Sequence, residues 1–159
     1  VEVAGNLEKA KWEKLIWNIP FNGLGVAGTA GLDAVINGCL KTGQPIGPCL
    51  SSDRLLDKGL WENLVTELMD EVISIGRALG HDISLDSGEY QRNRTRVMGS
   101  YRASTLIDFE AGRPLELEAL FYKPLAIAHA KGIKAPRLTR LCSILNQLVK
   151  QNPSRSTNK

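Results

Sequence analysis

An all-α fold is what this 159-residue sequence predicts, on three observations. Apolar residues recur at three- and four-residue spacings, residues that start and stop helices bracket those runs, and no stretch alternates apolar with polar as a half-buried strand would. The clearest run is Leu60, Leu64, Leu68, Val72, Ile75 and Leu79, which fall on one helical face and are followed by Gly80 as a stop.

Taken in order, Asn6 is placed to cap a helix over residues 7–18, and Pro20, which has no backbone donor, is expected to break or restart it. Residues 23–38 are small and apolar, which suits close helix packing, and residues 43–48 read as a Gly/Pro loop. Asp53 is expected to cap the longest helix, ending near Gly80. Asp86 or Ser87 opens a further helix reaching Tyr101, and residues 104–111 form another, ended by Gly112. Pro114 suits the first turn of a helix over 115–131, closed by Gly132, and Pro136 opens the last one, to Leu148. Residues 1–150 thus read as one helical domain, and the polar tail 151–159 as disordered. The chain starts at Val1 without a methionine, so a processed or trimmed piece of something longer is expected.

Composition narrows the function. A net charge of +3 is too small to point to nucleic acid, and 43% apolar with 23% charged residues is ordinary for a globular protein. The longest apolar stretch, residues 119–130, is interrupted by Lys123 and Pro124, so no membrane span is expected. Cys39, Cys49 and Cys142 are odd in number and form no CxxC pair, which predicts reduced thiols, a cytoplasmic protein and no structural metal. His81 and His129 stand outside any metal-binding spacing. Asn93-Arg94-Thr95 matches a glycosylation sequon, read as chance. The first dozen residues lack the apolar core of a signal peptide.

Three motifs call for weighing. Gly23-Leu-Gly25-Val-Ala-Gly28 fits GxGxxG, but a dinucleotide site needs a strand before it and an acid about twenty residues on, so glycine for close packing is the preferred reading. Arg92, Arg94 and Arg96 near Tyr90 and Tyr101 suggest a nucleic-acid patch, against which a solvated helix face is preferred. On a helix, Arg92 and Arg96 share a side and Arg94 points away. Lys14, Asn18 and Asn22 line one helical face beside Leu15, Ile16, Trp17 and Phe21, where polar groups need partners or a function. About ninety residues later stand Ser104, Asp108 and Glu116. Their plainer reading is a helix cap and a first-turn acid.

Together these clusters resemble the C-terminal domain of the ketopantoate reductase family. The family's K-x-x-x-N-x-x-x-N signature is here Lys14 to Asn22, and its Ser, Asp and Gly-Arg-x-x-Glu elements are Ser104, Asp108 and Gly112-Arg113-Pro114-Leu115-Glu116. Gly132-Ile133-Lys134-Ala135-Pro136 is similar to its GI-x-x-P element, and the resemblance covers roughly residues 9–150. It implies a multi-helix domain of the 6-phosphogluconate dehydrogenase-like type, normally preceded by an N-terminal Rossmann domain that holds NADPH and that this chain lacks. It further implies reduction of a 2-oxo acid, ketopantoate, to pantoate. Lys14 would be the general acid, Asn18 and Asn22 would orient the substrate, Ser104 would sit near its carboxylate, and Glu116 would accept from its hydroxyl. A further family asparagine is missing around residues 30–32, Leu115 replaces a common threonine, and Ala103-Ser104-Thr105 replaces a Ser-Ser-Met run. The isolated chain is expected to be inactive and, with its docking face uncovered, to favour a homodimer. The contrasting expectation is a helical interaction or dimerisation module without chemistry.

Overall fold

The computed structural model describes residues 2–41 and 46–151. The described residues form nine α-helices and no strand. These are α1 (Glu2–Asn18), α2 (Gly25–Ala27), α3 (Leu32–Asn37), α4 (Ser52–Leu55), α5 (Leu60–Ala78), α6 (Ser87–Arg96), α7 (Ser104–Glu110), α8 (Lys123–Ala130) and α9 (Pro136–Gln151). Of the expected disordered tail, Gln151 closes α9 and the rest lies outside the described residues, as do residues 42–45 of the Gly/Pro loop. None of the described helices is long and apolar enough to cross a membrane.

Several boundaries differ from expectation. Asn6 lies inside α1, not at its cap. Pro20 does not end the first helix. The chain continues as a π-helical segment, Ile19–Leu24, where the wider i→i+5 ladder tolerates the missing donor, and then as α2 and a 3-10 turn, Gly28–Ala30. Asp53 belongs to the short α4, and the long helix starts only at Leu60, which is largely exposed. α6 stops at Arg96 rather than Tyr101. The helix expected over 115–131 begins as a second π-helical segment, Glu118–Tyr122, before α8. Gly132 closes α8 at φ 71°, a left-handed conformation that glycine adopts without a Cβ penalty, while the Ile133 amide bonds back to the Ala128 carbonyl.

All six residues of Ile19–Leu24 are buried, and this segment is the axis of the molecule, with α1, α5, α7 and α9 packed around it. Gly23 within it and Gly25 just beyond it explain the close approach. A Cβ on Gly23 would lie 2.6 Å from Leu141 Cδ2 and 2.8 Å from Phe121 Cε1, and one on Gly25 would lie 2.5 Å from Leu106 Cδ1. The expectation of close packing over nucleotide binding for Gly23, Gly25 and Gly28 agrees with this geometry. Gly23→Ala is accordingly expected to cost about 1–3 kcal/mol through overpacking, read as a lower denaturation midpoint with unchanged m-value.

Two polar brackets set the outer helices. Glu71 of α5, buried, accepts from the Arg137 and Leu138 amides at 2.9 and 3.0 Å, so it caps α9 from another helix while also meeting the Arg137 guanidinium at 3.3 Å. Arg96 forms a two-pronged ion pair with Glu62, tying α6 to α5, and the Arg96 guanidinium holds the Glu62 carboxyl below its ordinary range.

Candidate active site

α1 and α6 enclose the candidate site, a cavity of about 620 Å³. Glu13, Lys14, Trp17 and Asn18 line it from α1. Gln91, Arg94 and Thr95 line it from α6, and Val97 and Met98 from the turn beyond. The Lys14–Asn18 spacing of four residues places both side chains on the same helical side, and the structure brings both to this cavity. Lys14 is exposed and forms no ion pair among the described residues.

Asn22 occupies a different place. It is 4% exposed and uses both ends of its amide within the protein. Its Nδ2 donates to Asn18 Oδ1 at 3.3 Å, and its Oδ1 accepts from the Thr105 amide at 3.3 Å. The Thr105 amide is one of the donors that the first turn of α7 leaves without a helical partner. Asn22 therefore joins the two sequence clusters: it orients Asn18 on one side and pins the start of α7, next to Ser104, on the other. With Oδ1 of Asn18 already engaged, its Nδ2 is the group left to donate to a bound molecule.

Ser104 is exposed as the first residue of α7, and Ala103 rather than Ser104 holds the cap position. Glu116 is exposed on the segment leading into Glu118–Tyr122. Neither lines the cavity. Asp108, the acid between them in sequence, accepts from Arg113 Nε at 2.9 Å, and the Arg113 amide bonds to the Asp108 carbonyl. That closed turn sets where the chain leaves α7 towards Glu116. The ion pair itself is too exposed to add much stability.

Residues that spacing did not single out complete the walls. Trp17 donates from Nε1 to Thr95 Oγ1 at 2.9 Å, and Thr95 in turn donates to the Gln91 carbonyl at 2.6 Å. Thr95 is 1% exposed, so this bond is shielded and locks α6 against α1. Trp17 also stacks on Phe21 at 5.0 Å and meets the edge of Tyr101 at 5.8 Å. Nothing in the sequence links positions 78 residues apart. The one legible signal is a threonine and glutamine one turn apart in a helix that carries few apolar residues.

The arginine triplet divides by task. Arg96 is paired with Glu62, Arg92 lies on the Met69 sulfur at 3.6 Å, and Arg94 faces the cavity with its guanidinium 5.5 Å from the Tyr90 ring centre. The expected opposition of Arg94 to Arg92 and Arg96 holds, but the solvated face is not uniform. Burial pushes the thiol of Cys142 up to about 12, which leaves it protonated and unreactive at neutral pH. No group of three His, Cys, Asp or Glu side chains converges among the described residues as a metal site would need.

The described residues do not form a dinucleotide cradle. The GxGxxG glycines lie in helical turns packed against Leu141, Phe121, Leu106 and Leu50, with no strand before them.

The chain is similar to known proteins over most of its length. The family described as "Ketopantoate reductase PanE/ApbA C terminal" matches residues 32–149, a span that includes Ser104 and Glu116 and begins after Asn22. A 2-dehydropantoate 2-reductase of Nostoc sp. is 31% identical over 141 residues, which is 89% of this chain and 38% of that protein. The crystal structure of 2-dehydropantoate 2-reductase from Geobacter metallireducens aligns with a TM-score of 0.71 at 35% identity, over 89% of this chain and 41% of that one. That from Methylococcus capsulatus aligns with a TM-score of 0.74 at 26% identity, over 91% and 43%. The chain thus spans about two fifths of the length of the relatives it matches.

Proposed function

The chain belongs to the ketopantoate reductase family, as its C-terminal domain, and from that premise we propose that it binds and protonates the substrate of an NADPH-dependent reductase that converts ketopantoate to pantoate. The observation supporting this reading most is the convergence of Lys14 and Asn18 on one cavity, with Asn22 fastening that face to the start of α7.

NADPH, when bound, supplies the hydride to the ketone carbon. The described residues offer it no phosphate cradle, so the reading has it held by protein outside them. This chain's part is acid catalysis and orientation. The Lys14 ammonium donates a proton to the ketone oxygen and stabilises the negative charge that grows there; it is then reprotonated from water, which the open cavity admits. Asn18 Nδ2 donates to the substrate and fixes its rotation about Lys14. On this reading Ser104 meets the substrate carboxylate and Glu116 accepts from its hydroxyl, roles that rest on the motif alone.

The test is a fusion of this domain behind the nucleotide-binding half of the Geobacter metallireducens relative, assayed for ketopantoate-dependent oxidation of NADPH. Turnover above that of the nucleotide-binding half alone is the expected result. A folded fusion that binds NADPH yet reduces neither ketopantoate nor another 2-oxo acid would overturn the reading.

A further inference from the structure

We propose that Ser52 is a positioning residue for the substrate site: through the segment 99–103 it sets where the Ser104 hydroxyl stands relative to the Lys14 and Asn18 face. The proposal deepens the reductase reading and rests on it, since there Ser104 meets the substrate's carboxylate.

Ser104 opens α7, and the chain reaches it from α6 through residues 97–103, an irregular connection. Such a connection lacks the backbone ladder of a helix, so neighbours must satisfy and place it. Ser52, the first residue of α4, supplies three bonds to it. The Ser52 amide donates to the Tyr101 carbonyl at 2.8 Å. Its Oγ donates to the Gly99 carbonyl at 2.9 Å and accepts from the Tyr101 amide at 3.2 Å. Ser52 is 3% exposed, so these bonds are shielded from competing water. The cap position of α4 belongs to Ser51, and the Ser52 hydroxyl spends its proton on Gly99 and a lone pair on Tyr101.

Both ends of the connection bear on the site. Tyr101 meets Trp17 edge-on at 5.8 Å, and Trp17 lines the cavity with Lys14 and Asn18. The Thr105 amide, one residue beyond Ser104, is held by Asn22, which also bonds Asn18. Ser104 therefore stands between two anchors, Ser52 on the side where the chain enters and Asn22 on the side where α7 begins. Removing the Ser52 hydroxyl takes away the partners of the Gly99 carbonyl and the Tyr101 amide, while the bond to the Tyr101 carbonyl and the bond from Asn22 remain. The segment then loosens without unfolding, and the Ser104 hydroxyl spends less time against the carboxylate. That carboxylate is the same in substrate and transition state, so the loss falls on KM rather than kcat.

The experiment uses the fusion with the nucleotide-binding half of the Geobacter metallireducens relative, and reads hydrogen–deuterium exchange over residues 98–105 beside the kinetics. Ser52→Ala is expected to speed exchange in that segment and to raise KM for ketopantoate about tenfold, with kcat and KM for NADPH unchanged. Ser52→Thr, which keeps the hydroxyl, should restore both. Ser51→Ala removes the neighbouring hydroxyl, which bonds Asp53 instead, and should change neither. Ser104→Ala should raise KM at least as much, and the double variant no further than Ser104→Ala alone, because both act on one contact. Unchanged exchange or KM in Ser52→Ala, or effects that multiply in the double variant, overturns the role of Ser52 and leaves the reductase reading standing. A folded wild-type fusion that binds NADPH yet reduces no 2-oxo acid overturns the reductase reading, and the substrate role of Ser52 with it.

Discussion

Lys14→Ala, made in the NADPH-oxidising fusion, is expected to lower kcat by about 10²–10⁴-fold, the range that a positioned general acid contributes. That corresponds to about 3–5 kcal/mol of transition-state stabilisation. KM should change much less, because the ammonium's strongest interaction is with an oxygen that becomes negative only as the reaction proceeds. Lys14 is exposed and makes no ion pair among the described residues, so the melting temperature should stay within the small range of an ordinary surface substitution. A small primary amine added to the variant should restore part of the rate, since it can occupy the vacated space and carry the same proton. Unchanged kcat in Lys14→Ala would remove Lys14 from the chemistry, whatever the activity of the fusion.

Glu71→Ala should produce the largest loss of stability, about 3 kcal/mol. The substitution deprives the Arg137 and Leu138 amides of their acceptor at the start of α9 and leaves the buried Leu138 amide with none. For a domain of this size that is a fall of about 6–12 °C in melting temperature. Glu67→Ala is the matched control. It removes the other carboxylate on Arg137, at 3.0 Å but on a half-exposed side chain, and should cost under about 1 kcal/mol. Glu71→Gln keeps one acceptor and should fall between the two. Equal losses for Glu67→Ala and Glu71→Ala would mean that the ion pair, not the helix cap, carries the energy. The consequence reaches the core, because α9 presents the buried Leu138, Leu141 and Leu145 to the Ile19–Leu24 segment and its neighbours.

The same logic separates what could be read from the sequence from what could not. The all-α class, the stops at Gly80, Gly112 and Gly132, and the start at Pro136 all depend on local spacing and backbone geometry, which are properties of a few adjacent residues. The continuation of the first helix through Pro20 depends on something else. A π-helical turn is poor in isolation, and it persists here because all six of its residues are buried between α5, α7 and α9. The exposed Leu60 reflects the same limit: periodicity marks a face as apolar but does not say how far along that face a neighbour extends.

At the candidate site, the sequence by itself determined that Lys14 and Asn18 share a helix side and that Asn22 follows them, because four-residue spacing decides this locally. It also carried, through the order of its motifs, membership of the ketopantoate reductase family. Only the tertiary structure decided that Asn22 is a buried bracket to α7, that Trp17 bonds Thr95, and that of three alternate arginines Arg94 alone turns to the cavity. The physical reason is that a polar side chain's task depends on which partner reaches it first. Those partners come from helices about eighty residues away, brought together by the burial of apolar surface that does not itself specify a polar pairing.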